Sequence, residues 1–527
     1  MAAYSFWGRF FVWSLWVCCG NTLLATDYFL TIGGGYNPSG NQASLEANVV
    51  FFQQVLKEKH HGAMHHDIFF ADGDDDKADL QVVAEKKTKK ELPASEVLAA
   101  LHRRRGPQQL EYRNHRVPNI SGLLDPALIR GSIESTGKNA RPGDRLIVYV
   151  TAHGSQGPNE KPFNTTIDCW NEKKISAREF TRWLNELPST MPVIMVMAQC
   201  YCGGFSHTIF EDLDEGKGLA IQPRVGFFAQ QYNLPAAGCR PDIENDEEFS
   251  SYFWGAIAGR SRNGVAVEGS DIDKDSVVSF AEAYAHAVIA GNTIDIPLRT
   301  SDVLLKTYSR LKIEEVPSAS TQLVDEPSRD KESDESTDEP KPAPNPPALS
   351  GTLQSFVNRG RPVSARIVTE LGKSLGFSLE DDATRVVAGY DEHRRNPRNQ
   401  GRGQRRRPGS GRRELLQEVT DKWPELGDER HWEESSLLKP DNQEHLLNEI
   451  KELHSWKAYE QRLKQAEANG QSAQHELREV KFRRLINTLE AIILEQNLPR
   501  IAKPEIVERY RQMIALEESA LDSAGGK

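Results

Sequence analysis

At 527 residues and 59.1 kDa, with 38% apolar and 27% charged residues, the chain is long enough for one sizeable core plus appendages, which excludes a single small domain. Acidic residues outnumber Lys and Arg by 76 to 65, a formal charge of −11, so a chain-wide nucleic-acid-binding surface is excluded and any basic function must be local. A mean hydropathy of −0.57 with one long apolar stretch excludes a polytopic membrane protein.

That stretch opens the chain. Arg9 precedes an apolar run over 10–17, followed by Leu23, Leu24 and Ala25. The run is short for a bilayer span and Ala25 is a small residue at a suitable cleavage point, so 1–25 reads as a signal peptide. Trp7, Trp13 and Trp16 support a competing reading, an uncleaved membrane anchor. Both readings export the remainder, to a periplasmic or extracellular space. Four of the six cysteines lie beyond this segment, Cys169, Cys200, Cys202 and Cys239, too few for a disulfide scaffold.

From 26 to 312, short apolar runs alternate with helical periodicity. Strands are predicted at 28–32, 67–71, 145–151, 192–198 and 225–229, nearly continuous in apolar residues as strands buried on both faces must be. A helix over 42–57 carries Leu45, Val49, Phe52 and Leu56 on one stripe. Another over 176–187 opens with a Ser176/Glu179 capping box and turns Phe180, Trp183, Leu184 and Leu187 inward. Two more are predicted at 248–259 and 280–290. The alternation predicts an α/β domain, a mainly parallel sheet flanked by helices.

Residues 313–350 are rich in Glu, Asp, Ser, Thr and Pro, with almost no bulky apolar residue after Val324, and read as a disordered linker. A short helical segment follows over 351–392, with a helical pair at 352–379. The segment 393–413 carries nine arginines between Arg394 and Arg413 among Gly, Pro, Asn and Gln. It reads as disordered, a candidate contact for an anionic surface and a candidate processing site. Helical periodicity returns over 414–527, where Leu446, Leu447, Ile450, Leu453 and Trp456 form one apolar side and Leu485, Leu489, Ile492, Ile493 and Leu494 another. These helices are expected to pack on each other or on a protein partner.

Two strands carry the chemistry. One ends in His153-Gly154, the other in Cys200-Tyr201-Cys202-Gly203-Gly204. Open α/β sheets bind ligands beyond the carboxyl ends of their strands, so two neighbouring strands present His153 and Cys200 to one crevice. A thiolate attacks a carbonyl carbon while an imidazole shuttles the proton, and the amides of Gly154 and Cys200 are candidate donors to the oxyanion. Gly203 and Gly204 are expected to allow a tight turn that keeps the sulfur exposed.

These motifs resemble the caspase, metacaspase and legumain group of cysteine peptidases. Cys200-Tyr201-Cys202-Gly203 is similar to the Cys-x-Ser-Gly of legumains and metacaspases, with Cys202 in the serine position. The opening strand, Gly33-Gly34-Gly35-Tyr36 and the helix starting near Gln42-Ala43 resemble the legumain start. Over 26–312 the resemblance implies a caspase-haemoglobinase fold, a Cys200 nucleophile, a His153 general acid/base, a protein or peptide substrate and no cofactor. Legumains carry an arginine just before the Gln-Ala pair, where this chain has Ser39, Gly40 and Asn41, so asparagine specificity is not implied. Glu160 and Asp168 are candidates to receive a basic substrate residue, without a matching motif.

Taken singly, a cysteine ending a buried strand is most often a core residue and a His-Gly pair most often a turn; their coincidence favours catalysis. The alternatives are a catalytically inactive interaction module and a thiol-redox pair, Cys200 with Cys202. Cys202 could instead be a packing residue, with Cys169 and Cys239 as a structural disulfide. Asp271, Asp273, Asp275, Ser279 and Glu282 have EF-hand spacing. The sixth position is Ser276 instead of glycine, which favours a Ser279/Glu282 capping box. Asp72, Asp74, Asp75, Asp76 and Asp79 are expected in a solvated loop, and His60, His61, His65 and His66 on the surface, with no metal bound. Nucleic acid is not an expected partner.

Overall fold

The computed structural model describes residues 25–83, 94–101, 110–239, 247–310, 349–395, 410–427, 432, 435–460 and 471–521. The predicted signal peptide, apart from Ala25, and nearly all of the predicted linker lie outside the described residues. Strand β1 (Thr26–Gly34) leads through helix α1 (Ala43–Lys59) to β2 (Ala63–Phe70). An antiparallel pair, β3 (Leu80–Val83) and β4 (Leu110–Arg113), brackets α2 (Ala94–Leu101). Helix α3 (Pro126–Asn139) precedes β5 (Arg145–Ala152). A second small pair, β6 (Thr166–Asp168) and β7 (Lys174–Ser176), runs into α4 (Ala177–Asn185) and β8 (Val193–Met197). A 3₁₀ helix (Cys202–Ile209), β9 (Arg224–Phe228), α5 (Phe249–Ala258), α6 (Phe280–Ala290), β10 (Leu298–Arg299) and α7 (Thr300–Tyr308) complete this part.

The central sheet has the order β10-β9-β8-β5-β1-β2, parallel except for β10. The five predicted strands are β1, β2, β5, β8 and β9, and the four predicted helices are α1, α4, α5 and α6. Every residue of β5, β8 and β9 is buried, which is why their sequences are nearly unbroken apolar runs. Strand β2 starts four residues before its predicted start. As an edge strand it exposes its first residues, so His65 and His66 do not break it. Helices α1 and α5 cover one face, with the Phe52 ring 4.9 Å from Tyr149 and 4.4 Å from Trp254. On the other face α4 meets the 3₁₀ helix, Phe180 against Phe205 at 5.8 Å. The predicted Ser176/Glu179 capping box opens α4.

Helices α8 (Leu353–Arg359), α9 (Pro362–Leu375), α10 (Ala383–Arg395), α11 (Ser410–Lys422), α12 (Gln443–Lys451), α13 (Gln471–Ile501) and α14 (Pro504–Glu517) follow. They do not form a layer of their own. Leu353, Phe356, Ile367, Leu371, Leu485, Leu489, Tyr510 and Met513 join the core of the α/β domain, whereas Leu415, Val419, Leu446 and Ile450 pack with Val97 and Leu98 of α2. The Arg-rich segment is helical at both ends, through Arg395 in α10 and from Ser410 in α11, because each end continues a helix with an apolar face. Its middle, 396–409, lies outside the described residues.

At the amino edge of the sheet the Asp27 carboxylate accepts from Arg145 Nε at 2.8 Å and Nη2 at 2.5 Å, and stands 3.0 Å from His60 Nε2. Arg145 also donates to the carbonyls of Ala520 and Leu521 at 3.1 and 3.0 Å, tying the segment after α14 to the start of β5.

Candidate active site

In the ladder between β5 and β8, Val150 pairs with Met197. Three residues further on, His153 and Cys200 stand level at the carboxyl ends of adjacent parallel strands. The backbones touch there: a Cβ built on Gly154 would lie 2.3 Å from the Cys200 carbonyl oxygen, so no larger residue fits without a shift. Both side chains are half-buried.

The His153 ring is oriented from the far side. Its Nε2 lies 2.7 Å from the Gly40 carbonyl oxygen and 2.9 Å from Gln42 Oε1. Gln42 Nε2 donates to the Ser39 carbonyl, which turns Oε1 toward the ring. Two acceptors at Nε2 mean that this nitrogen carries the proton, leaving Nδ1 as the acceptor. Tyr36 packs edge-on at 5.2 Å. Burial lowers the His153 pKa and raises that of Cys200, so the resting pair is a neutral imidazole and a neutral thiol. The Cys200 thiol points to the Ala236 carbonyl at 3.8 Å.

The turn after Cys200 is made differently from the expectation. Tyr201 itself adopts the left-handed conformation, with φ of 60°, a strained position for a non-glycine residue. Gly203 and Gly204 are required by close backbone approach: a Cβ would meet Tyr232 N at 2.6 Å in one case and the Phe163 carbonyl at 2.4 Å in the other. The amides of Gly154 and Cys200 are bonded to no other described residue.

Among the described residues the other cysteines, Cys169, Cys202 and Cys239, are free thiols, so Cys169 and Cys239 form no disulfide. Cys202 is fully buried. Its sulfur faces the Gln230 carbonyl at 3.4 Å and accepts the Gln230 amide at 3.3 Å, the environment of a packing residue.

Of the two acidic candidates for a basic substrate residue, Glu160 is exposed and Asp168 is committed. Asp168 accepts from Ser155 Oγ and Thr166 Oγ1, each at 2.7 Å, while its amide donates to the His153 carbonyl. Sequence reasoning does not reveal Gly40 and Gln42 as the ring's anchors. It also misses Asp295, a buried carboxylate whose pKa burial pushes up to about 6. Asp295 accepts the Ala237 amide at 2.7 Å, next to the carbonyl that faces Cys200. Arg484 of α13 secures the same loop, donating to the carbonyls of Val288, Gly291, Thr293 and Asp295 at 2.7–3.1 Å.

The Ser279/Glu282 capping box forms as expected, with Asp271, Asp273 and Asp275 clustered beside it. Two of the predicted surface histidines are instead engaged within the fold: His60 with Asp27, and His66 with Thr31 Oγ1 at 2.8 Å. The acidic loop is not wholly solvated, because Asp79 is buried and burial beside it pushes the Asp72 carboxyl up to about 7. A cavity of about 780 Å³ between Phe163, His207 and Tyr232 on one side and Arg484 and Thr488 on the other includes neither His153 nor Cys200.

No helix among the described residues is long and apolar enough to cross a membrane. No family model and no curated protein matches the chain. Solved structures similar to it include protein GSU0716 from Geobacter sulfurreducens, 9% identical, covering 52% of this chain and 92% of that one with a TM-score of 0.29. A likeness so faint carries no functional information.

Proposed function

We propose that this chain is an exported cysteine endopeptidase of the caspase-legumain type, with Cys200 as nucleophile and His153 as general acid/base. The observation that carries the reading is the level placement of these two side chains on adjacent parallel strands, with the ring's Nε2 held by Gly40 and Gln42. The thiol proton passes to Nδ1 as sulfur attacks the scissile carbonyl carbon, and the oxyanion takes the amides of Gly154 and Cys200. Collapse breaks the C–N bond. The imidazolium returns its proton to the leaving amine, and water then hydrolyses the thioester by the same route.

The deciding experiment is a peptide-library digest with wild type beside Cys200→Ser, paired with a thiol-directed covalent probe on wild type and His153→Ala. Cleavage by wild type alone, with labelling of Cys200 that depends on His153, is the expected result. A catalytically silent interaction module is the second reading, favoured by the burial that holds Cys200 protonated. Labelling indifferent to His153, together with an uncut library, would establish it.

A further inference from the structure

Behind the loop that anchors His153, three side chains from separate segments converge. Asp72 follows β2, Asp79 precedes β3 and His115 follows β4. One candidate ligand atom from each lies within 4.8 Å of the other two. The side chains of Asp72 and His115 are 8% and 5% exposed, and Asp79 is 1% exposed.

Hydrogen bonds do not account for all of their polar atoms. His115 Nε2 lies 2.6 Å from the Gly73 carbonyl and donates to it, so Nδ1 keeps its lone pair, and that atom is buried without a hydrogen-bond partner. Asp72 Oδ1 is likewise buried without one, 3.7 Å from His115 Nε2, on the same imidazole as the unpartnered Nδ1. Asp79 is fixed in place, its Oδ1 accepting the His115 amide at 3.1 Å and its Oδ2 accepting from Asn41 Nδ2 at 2.8 Å. The neighbouring cations are spent elsewhere, Lys77 on Asp75 and Arg113 on Glu46. Two buried carboxylates side by side cannot both stay charged without a positive partner.

We propose that Asp72, Asp79 and His115 bind one divalent transition-metal ion of the Zn²⁺ or Mn²⁺ class, through two carboxylate oxygens and one imidazole nitrogen. The mixed donor set suits a borderline ion; Ca²⁺ prefers a fuller shell of oxygens. Ligand atoms around tetrahedral zinc stand about 3.4 Å apart, so the observed spacing closes with modest side-chain movement. Any proton the carboxyls share leaves to solvent as the metal–oxygen and metal–nitrogen bonds form, with no change of oxidation state.

The site reaches the catalytic side through Asn41. That residue grips Asp79 with its amide nitrogen and accepts the Gly35 amide with its oxygen at 3.1 Å, and the preceding carbonyl, Gly40, holds His153. An occupied site therefore steadies the histidine's anchor. This second step rests on the Cys200–His153 reading; the binding itself does not.

Full-length protein is stripped with chelator, titrated with ZnCl₂ or MnCl₂, and followed by bound-metal mass spectrometry and melting temperature. Wild type is expected to retain one equivalent and to melt higher. Asp72→Asn and His115→Gln lose affinity by about 100-fold or more, while the exposed neighbour variant Asp74→Asn binds as wild type, and far-UV circular dichroism verifies that each variant is folded. Failure of wild type to retain metal, equal retention by folded Asp72→Asn, or displacement of the bound ion by equimolar Ca²⁺ overturns the site. Iodoacetamide alkylation of Cys200 is expected to change at least threefold on metal addition. An unchanged rate with the ion bound removes the link to His153.

Discussion

The two edges of the central sheet are built on opposite principles. At the amino edge the buried charges are paired: Asp27 receives Arg145 and His60, and the other Arg145 donors go to Ser519 Oγ and the carbonyls of Ala520 and Leu521. At the carboxyl edge β5 and β8 end in a thiol facing only the Ala236 carbonyl and an imidazole beside two amides bonded to no other described residue, next to a tyrosine in a strained conformation. One edge spends its polar groups on holding the fold. The other leaves two amides unbonded and a backbone strained, at a cost in stability.

That contrast breaks if substitutions at the two edges have interchangeable effects. The largest expected effect is at Cys200: Cys200→Ala lowers peptidase turnover by roughly 10⁴-fold or more while urea unfolding is unchanged. Next, Asp27→Ala leaves Arg145 buried without its carboxylate and is expected to cost about 3–5 kcal/mol in urea unfolding, with turnover per folded molecule preserved. A loss of turnover without a loss of stability there would erase the division. Gly154→Ala drives a methyl into the Cys200 carbonyl. It should cost about 1–3 kcal/mol and lower turnover about 10²-fold by displacing the strand ends.

The smallest effect sharpens the comparison by pH. Burial raises the Cys200 pKa and lowers that of His153, so the thiolate fraction at neutral pH is below that of an ordinary exposed thiol. Its alkylation by iodoacetamide should be slower than that of a free cysteine at pH 7. It should also keep rising, tenfold per pH unit, beyond pH ~8.5 where an ordinary thiol levels off. A plateau below pH 7 would instead mark a resting thiolate–imidazolium pair.

What could be read in the sequence follows from how local each constraint is. β5, β8 and β9 are buried on both faces, so their apolar runs announce them, and His153 and Cys200 stand out because each ends such a run. The α4 and α6 starts are written in Ser176/Glu179 and Ser279/Glu282. Helix α3 carries a start signal too, an Asp125 cap followed by Pro126. The ring's anchors could not be seen, since Gly40 and Gln42 lie more than a hundred residues from His153. Nor could the burial of Asp79, because an acidic run looks solvated until Asn41 and His115 close over it. The docking of α2 on α11 and α12, marked by the Ser95–Gln443 hydrogen bond, spans most of the chain and leaves no local trace.

The guanidinium of Arg484 has a consequence for the order of biosynthesis. It closes the loop that carries Asp295, and Asp295 in turn fixes the segment facing Cys200. Helix α13 leaves the ribosome long after that cysteine, so a growing polypeptide holds its sulfur in an unfinished cleft until synthesis has passed Arg484.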